Sequence, residues 1–230
     1  MIRSAEIVAV GSELLTPFRT DTNSLWLTAR LNELGIEVRT KTVVGDDAAD
    51  LAALLRLALG RSDLIVTTGG LGPTADDLTR EVVADVLGRP LVRDDAVLAA
   101  IRQRFERRGL TMPPTNARQA QVPTGADVLM NAAGTAPGLW LEADGRICVL
   151  LPGPPRELQP MYEALVAPRL LERSGVRHLR RRVMAVTGLP ESKVDAVAQP
   201  VYAAFAREAV PIATTILASP GRFRISVGIR

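Results

Sequence analysis

Strand-length and helix-length patterns alternate along the N-terminal half of the chain. Three strand-length runs, AEIVAVG, IEVRTKTVVG and DLIVTTGG, each close on glycine. Helix-like segments follow them at residues 21–35, 46–60 and 74–88, and each opens with capping residues and ends in glycine. Three strand–helix units in succession require right-handed crossovers. We therefore predict a three-layer α/β/α fold with a mostly parallel sheet.

The pattern then predicts one more helix, a hairpin and a long helix. It places a helix at 93–109, a proline-punctuated loop with one helical turn at 111–126, and a short strand at 127–131. The Asp144–Gly145 pair is typical of a tight hairpin turn. Residues 156–175 predict a helix that is bent near Pro168, because proline cannot continue the hydrogen-bond ladder.

A different pattern begins after Gly175 and predicts a small β-α-β-β unit. Its first strand covers 176–188, a helix follows, and two final strands flank Pro220–Gly221. We expect two domains, residues 1–172 and residues 176–230. The chain stops within the strand-like stretch ISVGIR, which indicates a truncated chain or a longer protein that continues beyond it.

Composition agrees with a soluble α/β protein. Apolar residues make up 47% of the 230 positions and aromatic residues only 3%. No apolar run reaches the roughly 18 residues that span a bilayer, and the N-terminus lacks a cleavage signal, so we expect a cytoplasmic protein without a membrane partner. The net charge of +3 is small, and we interpret the arginine clusters as solvated faces rather than as a nucleic-acid surface. Cys148, the single cysteine, lies in a strand-like run and is interpreted as core.

Polar and glycine residues follow the predicted strands at the edge where parallel sheets bind ligands. They are Gly11, Ser12 and Glu13 after the first strand; Asp46 and Asp47 after the second; Gly69, Gly70, Gly72, Thr74, Asp76 and Asp77 after the third; and Gly153 after the last. Glycine amides at such a turn suit an anion, and phosphate is the natural ligand. A tight turn without a ligand is the alternative, but one glycine would satisfy it.

Two adjacent carboxylates, Asp76 and Asp77, are predicted in the first turn of the third helix. One can cap the helix while the other faces the crevice, where with Asp46 it could hold Mg²⁺ through oxygen ligands. Plain capping is the competing interpretation for both aspartate pairs.

The loop NAAGTAPG supplies Asn131, Gly134 and Thr135 without apolar content, as expected where a loop surrounds a polar ligand. An ordinary surface loop is the alternative. The only histidine is His178, and neither a Walker P-loop nor a G-x-G-x-x-G motif occurs. Catalysis would therefore depend on metal, carboxylates and backbone amides.

Seven motifs in this order resemble the CinA family (competence/damage-inducible protein A). They are AVGSELL, DTNS, VVGDD, TTGGLGPTADDLTRE, NARQAQVP, NAAGTAPG and LLPGPPRELQPM, and they span roughly residues 4–165. The resemblance implies a domain with the fold of the molybdopterin-binding proteins MoaB, MogA and MoeA, and a KH-like middle domain that begins after it. It also implies metal-dependent hydrolysis of ADP-ribose to AMP and ribose 5-phosphate. Deamidation of nicotinamide mononucleotide belongs to a separate C-terminal domain of the family, which these residues do not include.

The resemblance and the residues together give a working hypothesis of a pyrophosphatase. The amides of Gly69, Gly70 and Gly72 would hold the diphosphate of a nucleotide substrate, and Asp46, Asp76 and Asp77 would position Mg²⁺, Mn²⁺ or Co²⁺. Glu13 or one of the aspartates would accept a proton from water, and Asn23 and Thr74 are candidates for ribose or phosphate contacts. A module that binds a pterin or nucleotide without cleaving it, and a scaffold for partners, are the alternatives; the family suggests a homodimer.

The loop after the first strand departs from the family pattern. The family has a glycine-containing stretch there, whereas this chain reads LTPFRTDTN with Pro17 at the glycine position. Proline makes this loop stiffer and bulkier, so we expect an altered substrate preference or activity.

Overall fold

The computed structural model describes residues 1–175, 180–186, 189–205, 212–219 and 222–229. The chain divides into two compact units, of which the first is formed by Met1–Leu31 and Ile36–Gly175. No helix in these ranges combines the length and the apolar content needed to cross a membrane.

Three strand–helix units build the parallel part of the first unit. In chain order they are β1 (Ser4–Val10), α1 (Asn23–Glu33), β2 (Glu37–Val44), α2 (Ala48–Arg61), β3 (Leu64–Thr68) and α3 (Thr79–Val86). Short 3-10 helices at Ser12–Leu15 and Pro114–Ala120 lie outside these elements. The capping aspartates act as expected, since the Asp47 carboxylate accepts hydrogen bonds from the amides of Ala49 and Asp50 at the start of α2.

The rest of the first unit adds one more parallel strand and a hairpin. Its elements are β4 (Leu91–Arg93), α4 (Asp95–Glu106), β5 (Gln121–Pro123), β6 (Asp127–Leu129), β7 (Gly138–Ala143), β8 (Arg146–Leu151), α5 (Pro155–Met161) and α6 (Ala167–Ser174). The six-stranded sheet has the order β2-β1-β3-β8-β7-β6, with β2, β1, β3 and β8 parallel and the last two pairings antiparallel. The predicted α/β fold with a mostly parallel sheet is confirmed.

Two predicted elements differ in the structure, each for a local reason. The third helix begins at Thr79, so Asp76 and Asp77 lie in the preceding turn and not in its first helical turn. The long helix predicted over 156–175 is interrupted by a π turn at Tyr162–Val166, where the Ala167 amide donates to the Tyr162 carbonyl. Pro168 follows directly and has no amide hydrogen to restore the normal ladder.

The largely apolar centre of the sheet contains a charged side chain, Glu6 on β1, which is 3% exposed. Its carboxylate accepts two hydrogen bonds from Arg61, at 2.7 Å each, and one each from the hydroxyls of Ser62 and Thr40. The hydrogen bonds from Arg61 are the main reason that the pKa of Glu6 is lowered to about 2. Buried ionisation is tolerated here because every carboxylate lone-pair direction is used.

The second unit contains β9 (Arg180–Val186), α7 (Glu191–Phe205), β10 (Ile212–Ser219) and β11 (Arg222–Ile229). Its three strands form an antiparallel sheet in the order β10-β11-β9. The element order is the predicted β-α-β-β. The predicted turn at Pro220–Gly221 and the ends of the first predicted strand, residues 176–179 and 187–188, lie outside the described residues. Its KH-like character stays a prediction.

Candidate functional site

A crevice of about 980 Å³ opens where the carboxyl ends of β1, β2, β3 and β8 meet. This is the edge at which parallel α/β sheets bind their ligands. The predicted site residues that line it are Gly11, Glu13, Asn23, Asp46, Gly69, Gly70, Gly72, Asp76, Asp77, Thr135 and Gly153. Motifs far apart in the sequence therefore meet at one place, because parallel strands end on the same side of the sheet.

Four predicted residues, Ser12, Thr74, Asn131 and Gly134, do not line the crevice. Ser12 and Thr74 are engaged with Asp46 and Asp77, and Asn131 organises its own loop. The side-chain oxygen of Asn131, Oδ1, accepts a hydrogen bond from the Gly134 amide at 2.7 Å, and its Nδ2 donates to the Glu157 carboxylate at 2.8 Å. Asn131 and Gly134 line a separate cavity of about 260 Å³ beside α4. Their role in the structure is to shape the loop that carries Thr135.

The glycine turn after β3 requires glycine for steric reasons at two positions. Gly69 and Gly70 have φ values of 99° and 66°, a region that favours glycine. A Cβ at Gly69 would overlap the Val10 carbonyl oxygen, and one at Gly70 would overlap the Thr79 hydroxyl. The turn therefore passes too close to β1 and α3 for any side chain.

Hydrogen bonding inside the turn changes which amides are available to a ligand. The Gly69 amide donates to the Leu151 carbonyl at 3.0 Å, and the Gly72 amide donates to Asp77 Oδ1 at 2.8 Å. The amides of Gly70 and Leu71, which both line the crevice, make no hydrogen bond within the part of the chain that the structure describes. The expectation that Gly69 and Gly72 also offer free amides was wrong, because both already serve the protein.

Asp77 holds the turn in shape. Its Oδ1 accepts from the Gly72 amide, and its Oδ2 accepts from the amide of Thr74 at 2.9 Å and from the Thr74 hydroxyl. Both oxygens are thus committed to the turn before α3, and Asp77 does not cap that helix, which has no side-chain capping hydrogen bond. Asp76 lies in the same turn and is exposed.

Asp46 and Glu13 are differently placed. The Asp46 Oδ2 atom accepts from the Ser12 amide at 2.9 Å, while Oδ1 makes no hydrogen bond to any described residue. The Glu13 carboxylate lies against Gly11, since a Cβ built at Gly11 would be 2.6 Å from Glu13 Oε2. Glu13 lines the crevice, and its carboxylate has neither a hydrogen bond nor an ion pair within the described ranges.

Asn23 joins three parts of the crevice wall. Its Nδ2 donates to the Thr68 hydroxyl at 2.9 Å and to the Gly153 carbonyl at 2.7 Å. These bonds connect the start of α1 to the ends of β3 and β8. Its Oδ1 is buried without a hydrogen-bond partner in the described part of the protein, so it is available to a ligand or water donor.

Sequence reasoning missed two cations in the crevice, Arg19 and Arg156. Neither makes a hydrogen bond or an ion pair with any residue that the structure describes. Arg19 follows Pro17 and the exposed Phe18 in the loop after β1, and Arg156 lies in the first turn of α5. Arg156 could have been predicted, because it directly follows the glycine–proline turn after β8. Arg19 could not, because its loop is long and the sequence does not show towards which part of the fold it extends.

The predicted metal ligands are Asp46, Asp76 and Asp77. In the described residues, no three His, Cys, Asp or Glu side chains lie together in a way that could hold a metal ion. Asp46, Asp76 and Asp77 line one crevice but do not form such a cluster. The crevice fits a divalent cation only in the mode in which one or two carboxylates share it with phosphate oxygens of a ligand. Asp46 and Asp76 suit that mode better than Asp77.

Comparison with known proteins gives both sequence and structural relatives. Residues 6–172 match the family model described as "Probable molybdopterin binding domain". A "CinA-like protein" of Koribacter versatilis is 47% identical over 230 residues, covering 98% of this chain and 55% of that protein. The chain spans about half the length of the curated relatives it matches.

Solved structures similar to the chain include a CinA protein and a MoaB enzyme. The protein CinA of unknown function from Thermoplasma acidophilum has 34% identity and a TM-score of 0.67, covering 71% of this chain and 96% of that one. The molybdopterin biosynthesis enzyme MoaB from Thermus thermophilus has 22% identity and a TM-score of 0.50, covering 77% and 99%. The second likeness concerns the fold alone.

Proposed function

The chain belongs to the CinA family and to the wider family of molybdopterin-binding-type domains, and from this premise we propose that its crevice hydrolyses ADP-ribose. The reaction is ADP-ribose plus water to AMP plus ribose 5-phosphate, in which one bridging P–O bond of the diphosphate breaks. The observation that carries the proposal is that one crevice is lined by residues whose donors and cations have no partner among the described residues: the amides of Gly70 and Leu71 and the side chains of Arg19 and Arg156.

Charge and size support a nucleoside diphosphate as the ligand. A diphosphate carries several negative oxygens, which match unpaired guanidinium groups and backbone amides. The volume of about 980 Å³ is at the upper end of the range for small-molecule sites and suits a nucleotide with a second sugar. The free Oδ1 of Asn23 would accept a hydrogen bond from a ribose hydroxyl.

Each residue has a separate role in this proposal. Arg19, Arg156 and the two amides bind and orient the diphosphate, which reduces repulsion against an incoming water molecule. Glu13, which is unpaired and lies against Gly11, accepts a proton from that water as the oxygen attacks phosphorus. Asp77 acts indirectly, because it maintains the turn that presents the amides.

Asp46 and Asp76 would hold a divalent cation together with phosphate oxygens of the substrate. When bound, the cation would neutralise part of the charge on the phosphoryl oxygens. The hydrogen bond from the Ser12 amide to Oδ2 holds the Asp46 carboxylate in place, so the position of its free Oδ1 is fixed.

The test is incubation of the chain with ADP-ribose and a panel of nucleoside diphosphate sugars plus Mg²⁺, Mn²⁺ or Co²⁺, read by chromatography. We expect AMP and ribose 5-phosphate in equal amounts, and none after EDTA. Glu13→Gln should lower kcat by about a hundredfold or more while the Kd for ADP-ribose stays within about twofold, because general bases contribute roughly that much. The matched control is Glu163→Gln, an exposed glutamate away from the crevice that should retain full activity.

The second candidate is a module that binds a pterin or nucleotide without cleaving it. The description of the matching family and the commitment of both Asp77 oxygens to the turn favour it. Calorimetry distinguishes the two: heat of nucleotide binding with no product under any metal would leave only the binding function. Absence of both binding and turnover would reject the crevice as a nucleotide site.

A further inference from the structure

The first five residues of the NARQAQVP motif, 116–120, lie in the 3-10 helix Pro114–Ala120 beside the glycine turn, and the proposed reaction gives them no role. Two of their polar side chains are nevertheless buried, with Asn116 6% and Gln119 1% exposed. Buried amides are costly unless they are hydrogen-bonded, so their partners indicate what the segment does.

These side chains bind the glycine turn through its carbonyl groups. The Gln119 Nε2 atom donates to the Leu71 carbonyl at 3.3 Å, and the Asn116 Nδ2 atom donates to Gln119 Oε1 at 3.0 Å. Asn116 thereby fixes which end of the Gln119 amide faces the turn. Arg118 extends the contact, since its guanidinium donates to the Thr74 carbonyl.

Thr79, the first residue of α3, holds the same turn from the other side. Its hydroxyl donates to the Gly69 carbonyl at 2.8 Å, and its amide donates to the Gly70 carbonyl at 3.1 Å. The carbonyls of three consecutive residues, Gly69, Gly70 and Leu71, are therefore all bonded to the protein. A peptide group whose carbonyl is fixed on one side has its amide fixed on the other, because the group is planar and trans.

We propose that Thr79 and Gln119 are positioning residues that set the peptide groups of the glycine turn, so that the unpaired amides of Gly70 and Leu71 form a phosphate-binding pair. The inference rests on the proposed function for the identity of the ligand. The peptide bond between Gly69 and Gly70 is oriented by the Thr79 hydroxyl, and the bond between Gly70 and Leu71 by the Thr79 amide. The Gln119 bond to the Leu71 carbonyl orients the next peptide bond, between Leu71 and Gly72, and so limits rotation of the backbone on the other side of Leu71.

This arrangement explains how a turn that requires glycine at two positions can nevertheless be rigid. Glycine alone would let these peptides flip, and a flipped peptide would present a carbonyl oxygen to an anion. Donors fixed before the ligand arrives bind it without a cost of reorganisation. Thr79 and Gln119 supply that fixation from two segments that are 40 residues apart in sequence.

The experiment measures binding of inorganic pyrophosphate with Mg²⁺ by calorimetry, using the whole chain. Thr79→Val keeps the shape of the side chain and removes the hydroxyl donor to the Gly69 carbonyl, while the backbone amide that donates to Gly70 remains. Gln119→Met keeps the length of the side chain and removes its bonds to Leu71 and Asn116. We expect each variant to bind pyrophosphate about tenfold more weakly, while Thr79→Ser, which keeps the hydroxyl, stays within about twofold of the parent.

Thr67→Val is the matched control for the threonine substitution. Thr67 on β3 is fully buried and its hydroxyl has no hydrogen-bond partner among the described residues, so losing it should leave pyrophosphate binding unchanged. Circular dichroism and urea unfolding establish that each variant is folded at the temperature of titration. A merely structural role would lower the midpoint of unfolding without weakening pyrophosphate binding by the folded protein.

The inference is overturned if folded Thr79→Val and Gln119→Met bind pyrophosphate as the parent does, or if Thr67→Val weakens binding equally. Binding that follows the expected order without any release of AMP from ADP-ribose would reject hydrolysis and retain the positioning role. If the parent chain binds neither pyrophosphate nor ADP-ribose, both proposals fall together.

Discussion

Ser12 and Asp46 hold each other through reciprocal hydrogen bonds. The Ser12 amide donates to Asp46 Oδ2 at 2.9 Å, and the Asp46 amide donates to Ser12 Oγ at 3.0 Å. The two residues are 34 positions apart, and each directly follows the glycine that ends its strand. The turns after β1 and β2 are thus joined at the crevice, and the Asp46 carboxylate is fixed there by one oxygen.

Asp46→Asn should separate the charge of this residue from its structural role. The asparagine carbonyl can still accept from the Ser12 amide, so we expect the free energy of unfolding to change by less than about 1 kcal/mol. If Asp46 shares a cation with substrate phosphates, AMP formation should fall at least about tenfold and require more Mg²⁺. Steady-state kinetics across a Mg²⁺ series measures this.

Asp47→Asn is the control for that substitution. Asp47 caps α2 and does not line the crevice, and asparagine caps helices about as well as aspartate. Its activity and Mg²⁺ dependence should match those of the parent. Equal kinetics for both variants would remove Asp46 from the cation site.

Gly69→Ala should destabilise the protein strongly. Its φ of 99° is unfavourable for alanine, and the added carbon would overlap the backbone of Val10, which cannot yield without moving β1. We expect a loss of about 2 kcal/mol or more in the free energy of unfolding, or failure to fold. Urea unfolding measures it.

Gly60→Ala is the same substitution at another position, and we expect it to have the opposite effect on stability. Gly60 lies within α2, and nothing is within 4 Å of the position of a Cβ there. Alanine should stabilise the helix by roughly 0.5–1 kcal/mol. Similar effects at Gly60 and Gly69 would contradict the steric explanation.

Glu6 should make the protein sensitive to acid. Its pKa is lowered from 4.5 to about 2 in the folded state, so its contribution to stability is present above pH 4.5 and is lost as the pH falls towards 2. The shift corresponds to about 3 kcal/mol. In urea unfolding measured from neutral to acidic pH, Glu6→Gln should be less stable than the parent at neutral pH and show a flatter acid dependence.

Glu106→Gln, at the exposed end of α4, is the reference for that series. It should have the parent's stability at neutral pH and the parent's acid dependence. An acid profile of Glu6→Gln that parallels the parent would show that the Arg61 pair does not govern acid unfolding.

Cys148 should be unreactive in the native protein. It lies on β8 with 3% exposure, and burial raises the pKa of its thiol to about 12. Because the thiolate is the reactive form, modification by a disulfide reagent at pH 8 should follow global unfolding. The reaction rate across a urea series should therefore track the unfolded fraction. Rapid labelling without urea would contradict the burial of this strand.

The helices and strands of the first unit were predictable because their signals are local. Capping by Asp47, the hairpin turn at Asp144–Gly145 and the glycine that ends each strand depend on residues within a few positions of each other. The small β4–β5 sheet was not predicted, since three-residue strands carry too little pattern. The start of α3 at Thr79 was also missed, because a capped turn and a first helical turn share the same residue types.

The local pattern of residues is sufficient to predict the three parallel strand–helix units and, because parallel strands end on the same side of a sheet, which turns share one edge. Which groups at that edge remain free depends on the packing of distant segments. The Gly69 amide is taken by Leu151, 82 residues away, and the Leu71 carbonyl by Gln119, 48 residues away. Local conformational preference depends on residues within a few positions, whereas the hydrogen-bond partners of loop atoms depend on how distant segments pack. The donors that remain available in the crevice could therefore not be predicted from the sequence.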